Sequence, residues 1–199
     1  MPINSHKPHL GAGDVPIRLD GREVVLRPTL RAGLAVARED GGIMPMVEAV
    51  GRYDFETLVR VLALGLGRTD IDQVRDEAWR TGMEALVGPV TRFLVIVASG
   101  GTPPTGKGAE DDAGVPTESI TLAELCDEMA GIAMGWLGWS PETALGADMN
   151  AIRVAYDGRI DMLKACFGGG DDKPASTAPQ VQSRPLTPAL FDALFGARA

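Results

Sequence analysis

Alternation is the first pattern along the chain. In "VPIRLDGREVVLRPT" the apolar residues Val15, Ile17 and Leu19 are separated by Pro16 and Arg18, and Asp20-Gly21 follows. That dipeptide is the strongest two-residue turn signal, because both residues tolerate the positive φ of a type I′ turn. Counting outward from it pairs Leu19 with Arg22, Ile17 with Val24 and Val15 with Leu26, which puts the apolar residues on one face. A lone hairpin is marginal in water, so helices must cover it.

The period then changes to three and four. Thr29 to Glu39 reads as a short helix stopped by Gly41-Gly42, and Met44 to Arg52 as a second. Asp54 is an N-cap for "FETLVRVLALGLG", where Phe55, Leu58, Val59, Leu62 and Leu66 share a face and Gly65 or Gly67 closes the helix. Asp70 or Thr69 opens "IDQVRDEAWRTG". A last helix of this group spans Met83 to Ala98, with a disturbance expected at Gly88-Pro89. The run Phe93–Ala98 is short enough for a buried strand, but Leu86, Val90, Phe93, Leu94 and Val97 keep a helical period, and helix is the preferred reading.

Beyond Ala98 the composition shifts to Gly, Pro, Thr and acidic residues, and residues 100–118 read as a flexible linker. Residues 119–167 are helical throughout in pattern. Thr121 with Glu124 has capping-box spacing, and Ser140-Pro141-Glu142 supplies a cap, a first-turn proline and an early carboxylate. Asp148 caps a helix carrying Ile152, Tyr156, Ile160, Leu163 and Phe167. A second linker, 168–185, leads to a small amphipathic helix at 186–196, in which Leu190, Phe191, Leu194 and Phe195 form one face. Residues 1–13 read as a disordered tail. The expected fold is therefore mainly α with a short N-terminal β-hairpin (α+β), in two small helical modules, 14–99 and 119–167, joined by a flexible linker.

Charge narrows the partners. The 199 residues carry a formal net charge of −8, which argues against nucleic acid or an anionic membrane as main partner, since phosphate affinity rests on Lys and Arg. No apolar run approaches the ~18 residues of a spanning helix and the N-terminus shows no apolar signal core, so a cytoplasmic protein is expected. Cys126 and Cys166 lie in apolar helical contexts and read as reduced, packed thiols.

One stretch mimics a nucleotide site. "GTPPTGKG", Gly101 to Gly108, matches most of G-x-x-x-x-G-K-[ST]. A phosphate loop needs consecutive backbone N–H donors and a helix behind them, yet Pro103 and Pro104 remove two donors and Gly108 replaces the metal-binding hydroxyl. Glu110, Asp111 and Asp112 would repel an anion, so the stretch reads as a tether. The histidines, His6 and His9, both lie in the N-terminal tail, which leaves no ordinary nucleophile–His pair or His-based metal site. Glu124, Asp127 and Glu128 read as a solvated helix face. No catalytic residue, cofactor or metal is expected, and the chain reads as a non-enzyme.

The most unusual local feature is "MGWLGWSP". Trp136 and Trp139 beside small residues at a helix–helix turn form either the core of the small unit or an exposed anchor, since Trp is favoured at binding hot spots. The Leu190/Phe191/Leu194/Phe195 face is likewise a helix-in-groove element or a fold-back onto the same chain.

These residues carry a resemblance. "LDGREVVLRPTLRAGLAVAREDG" resembles the N-terminal module of the tail assembly chaperones of siphophage-like elements and gene transfer agents, a short hairpin running into "LRPT" and a helix. "MGWLGWSPETALGADMNAIRVAYDGRIDML" resembles the small second module of that system, although "ETALGAD" lacks the bulky aromatic usual after the proline. Together the likenesses cover about 15–99 and 119–167. The resemblance implies a non-catalytic chaperone that coats the tape-measure protein, recruits tail-tube subunits and is absent from the finished particle, whether phage, prophage or transfer agent. It leaves room for self-association, and for a long form made by ribosomal slippage at a codon run near Gly106-Lys107. A linker of about twenty residues, with an r.m.s. reach of roughly 25 Å, would hold one bound partner near another. The rival readings are a cytoplasmic adaptor docking through its C-terminal helix and a degenerate NTPase.

Overall fold

Two strands, β1 (Val15–Leu19) and β2 (Arg22–Leu26), pair antiparallel in the expected register, Leu19 opposite Arg22 and Val15 opposite Leu26. This computed structural model describes residues 10–103 and 120–167. Asp20 and Gly21 both take positive φ (47° and 75°), as a type I′ turn demands. The turn is tied down from outside, with the Asp20 N–H donating to Thr81 Oγ1 at 2.7 Å and Arg80 pairing with the Asp20 carboxylate at 2.6 Å. Val15, Ile17, Leu19 and Leu26 are buried against the helices that follow.

Those helices are α1 (Leu30–Ala37), α2 (Ile43–Gly51), α3 (Phe55–Leu66), α4 (Ile71–Thr81) and α5 (Met83–Ala98). Their starts are chemical. Thr29 accepts from the Ala32 N–H, Asp54 from Thr57 and Asp70 from Gln73, each satisfying a backbone donor that the first turn leaves open. Gly67, in the left-handed region at φ 64°, closes α3. Around Phe93, Leu58, Leu62, Leu86, Leu94 and Ile96, all essentially inaccessible, the hairpin and helices share one core.

The helix expected from Met83 to Ala98 is α5, which continues through Pro89 as a single helix. The proline removes the bond its N–H would make to the Ala85 carbonyl, and Ala85 lies on the exposed side of the helix. Phe93–Ala98 belongs to this helix rather than to a strand.

The second group comprises α6 (Leu122–Gly131), a π-helical turn (Ile132–Trp136), α7 (Pro141–Gly146) and α8 (Met149–Phe167). Thr121 and Glu124 form the reciprocal capping box, and Ser140 caps α7 ahead of Pro141. A second core gathers Cys126, Met129, Ala133, Ala144, Met149 and Ile152.

The two groups keep separate cores but share α1. Ala32 and Val36 face the first core, and Leu30, with Leu34 beside it, belongs to the second. Gly33 lets the helices approach: a Cβ there would stand 2.9 Å from Cys126 Sγ. Backbone bonds seal the seam, Leu30 N–H to the Ala147 carbonyl at 2.9 Å and Met149 N–H to the Pro28 carbonyl at 3.1 Å. The helical groups read from sequence as tethered modules are thus packed against one another. The linker stretch 104–118, the N-terminal tail to His9, the second linker and the C-terminal helix lie outside the described residues.

Candidate interaction surface

The surface begins where α6 stops being α-helical. After Gly131 the chain widens into the π-helical turn, with Leu137 N–H bonding the Ile132 carbonyl and Trp139 N–H reaching the Ala133 carbonyl, both at 3.0 Å. Gly138 then takes φ 70° to reverse the chain toward Ser140. A π-turn rotates every following side chain relative to the α register. Ala133 stays buried while Met134 and Trp136 are turned outward.

The two tryptophans therefore part company. Trp136 is 56% exposed, which corrects the core reading for this residue. Trp139 is half-buried against the second core, so for it the core reading stands. The edge of the Trp136–Tyr156 pair is T-shaped, with centroids 6.2 Å apart and planes at 78°. Tyr156 in turn lies on the stripe Ile152, Tyr156, Ile160, Leu163 and Phe167 of α8. Along that stripe burial fades from fully buried at Ile152, through half-buried at Tyr156, Ile160 and Leu163, to 82% exposed at Phe167. From Tyr156 to Phe167 the stripe runs about 16 Å at the helical rise. The result is an apolar track, headed by an indole and continuing past the core that anchors it.

A second aromatic site escaped the sequence reading. Trp79 on α4 is 74% exposed and meets Phe55 of α3 edge to face, with centroids 5.7 Å apart. Trp79 falls between charged neighbours in "DEAWRT", where periodicity assigns it to the polar face, and only its size marked it out. Leu190, Phe191, Leu194 and Phe195 lie outside the described residues.

Among the described residues the resolved pKa shifts have ordinary causes. Burial pushes the Cys126 thiol up to about 11, with Asp127 adding to the effect, so this cysteine is a packing residue. Cys166 is exposed, against the expectation of a packed thiol, because it lies on the outer side of the final turns of α8. Burial also raises the Asp148 carboxyl, opposed by the hydrogen bond from the Asn150 N–H. Among the described residues no group of three or more His, Cys, Asp or Glu side chains is placed to hold a metal ion. No helix among them is long and apolar enough to cross a membrane.

The described start of the nucleotide-like stretch has the wrong polarity for phosphate. Gly100 and Gly101 form the C-terminal cap of α5, their N–H groups bonding the Val97 and Ile96 carbonyls. A helix C-terminus, carrying partial negative charge, enters this loop where a strand would be required. Gly101 is pressed against α8, since a Cβ there would stand 2.9 Å from Met149 Cβ. Lys107 and Gly108 lie outside the described residues. No protein-family model, curated protein or solved structure matches the chain.

Proposed function

We propose that this protein is a non-catalytic tail assembly chaperone of a phage-like tail system, which shelters tape-measure helices in the cytoplasm and brings tail-tube subunits to them. The observation that carries the reading is the apolar track from Trp136 and Tyr156 to the 82% exposed Phe167. A stripe at helical spacing about 16 Å long suits an amphipathic helix laid alongside it. An exposed indole at its head provides a hot-spot anchor. The chaperones that the chain resembles keep long tape-measure helices soluble, a task such a track would serve. The likeness of "LRPT" with its hairpin, and of "GWLGWSPE" with its helix, to the two modules of these chaperones supports the same reading.

The test is co-expression with the tape-measure protein of the proposed tail system. Wild-type protein is expected to move that product into the soluble fraction, and the double variant Trp136→Ala/Phe167→Ala is expected to leave it in the pellet. Equal insolubility with and without the wild-type chain would remove the proposal.

A further inference from the structure

We propose that the outer edge of β2 is a strand-docking site for an extended, carboxylate-bearing segment of a partner protein. This inference is independent of the chaperone reading.

In a two-residue hairpin the pair flanking the turn is hydrogen-bonded and the pairs alternate from there. Leu19–Arg22, Ile17–Val24 and Val15–Leu26 therefore exchange bonds, while the backbone groups of Glu23 and Val25 point away from β1. Pro16 obeys the same rule, since it lies opposite Val25 where its missing N–H would point outward. The next outward donor after Val25 is Arg27, and its N–H bonds the Gly65 carbonyl at 2.8 Å. Thus the last turn of α3 takes up the end of this edge and, among the described residues, leaves the outward groups of Glu23 and Val25 unbonded.

That open stretch borders a groove of about 840 Å³ between β2 and the C-terminal turn of α3, floored by Leu64 and Leu66. Sheet edges are normally blunted by proline, inward charge, a bulge or a covering element. The β1 edge has Pro16 and lies beside α4 and α5, whereas β2 lies beside α3, and among the described residues no element bonds its outward groups at Glu23 and Val25.

Charge selects the occupant. Arg27, Arg31 and Arg68 line the groove against a single carboxylate, Glu23, in a chain whose net charge is −8. Arg68 is engaged with Glu77 at 2.6 Å and Arg27 lies near enough to Asp148 to favour its carboxylate, but Arg27 and Arg31 are exposed and neither forms an ion pair within 4 Å among the described residues. A segment with alternating carboxylates and small apolar side chains satisfies the arginines and the floor together, and its backbone satisfies Glu23 and Val25. A second copy of this chain is disfavoured, because it would bring its own Arg27 and Arg31 into the same groove.

The test uses the full-length protein and blocked eight-residue peptides, followed by amide hydrogen exchange and NMR titration. A peptide of alternating valine and aspartate is expected to slow exchange at the Glu23 and Val25 amides at least tenfold. A valine–lysine peptide is expected to bind at least tenfold more weakly. Of two valine–aspartate peptides methylated on odd or on even backbone nitrogens, one should retain affinity and the other lose at least tenfold. In the variant Arg27→Glu/Arg31→Glu the preference between aspartate and lysine peptides should reverse, a readout that a uniform loss of stability would not produce. Equal affinity of the two methylated peptides, or an unchanged charge preference, overturns the proposal. So does protection of the two amides in the free protein: concentration-dependent protection would assign the edge to a second copy, and concentration-independent protection to another stretch of this chain.

Discussion

Replacing Gly33 by alanine tests the seam between the two helical groups directly. The new methyl would stand 2.9 Å from Cys126 Sγ, 3.3 Å from Met149 Sδ and 3.5 Å from Met149 Cε. Non-bonded heavy atoms favour about 3.5–4.0 Å, so the first contact is at least about 0.6 Å too close. Overpacking of this kind costs about 1–3 kcal/mol, against which Gly→Ala inside a helix gains about 1 kcal/mol. The net expectation is a loss of about 0–2 kcal/mol. Gly131 provides the control. It has helical angles (φ −59°, ψ −43°), and a Cβ there meets nothing within 4 Å. Gly131→Ala should therefore stabilise by about 1 kcal/mol. Subtracting one variant from the other cancels the helix preference and isolates the packing term, a gap of about 1–3 kcal/mol. In a chain of this length each kcal/mol moves Tm by about 2–4 °C, which thermal unfolding by circular dichroism resolves. Adding Cys126→Ala to Gly33→Ala removes the nearest obstacle, and the pair should be favourably coupled by at least about 0.5 kcal/mol. Equal Tm shifts for Gly33→Ala and Gly131→Ala, with no coupling to Cys126, would refute the close approach of α1 to α6.

The other expectations concern charge, thiols and the exposed indole. Asp148 has its carboxyl raised by burial, so its ionisation opposes folding and the penalty grows as pH rises through its folded pKa; Asp148→Asn keeps a capping oxygen and should raise urea stability at neutral pH, with the gain vanishing in acid. Glu124 has the opposite sign, because the Thr121 N–H and hydroxyl hold its carboxyl low; its stabilisation is present above the ordinary carboxylate range and lost as pH falls through the depressed value, and Glu124→Gln should abolish that part of the acid sensitivity. A thiol reagent at pH 8 should label one cysteine per native chain, Cys166, and reach the buried Cys126 only on unfolding, which peptide mapping checks. Trp136→Ala should cost about 0.5–1.5 kcal/mol in denaturant titration, since its edge contact with Tyr156 is lost from a ring that is 56% exposed.

What the sequence made legible is mostly local. The hairpin register follows from Asp20-Gly21 and a two-residue period, and the caps at Asp54, Asp70, Thr121 and Ser140 follow from single side chains at fixed spacing. The seam was harder to read. Its signature was present in "LRAGLAVA", a helix apolar on two sides with a glycine between them, but short apolar helices also arise from one-sided packing. Trp136 and Trp139 are three residues apart and chemically identical, so only the π-helical turn, which no local preference announces, separates an outward ring from an inward one. The open edge of β2 was hidden for a different reason: the register shows which backbone groups point outward, but not which edge α4 and α5 cover.

Sharing α1 has a consequence for any product of this gene that stops between residues 103 and 120. Such a fragment would retain the hairpin and its core, yet it would present Leu30, Gly33 and Leu34 bare, together with the unanswered carbonyl of Pro28 and amide of Leu30. Truncation would not yield a finished smaller protein. It would yield one with a vacant berth shaped for a helix, ready to be filled by whatever apolar helix arrives first.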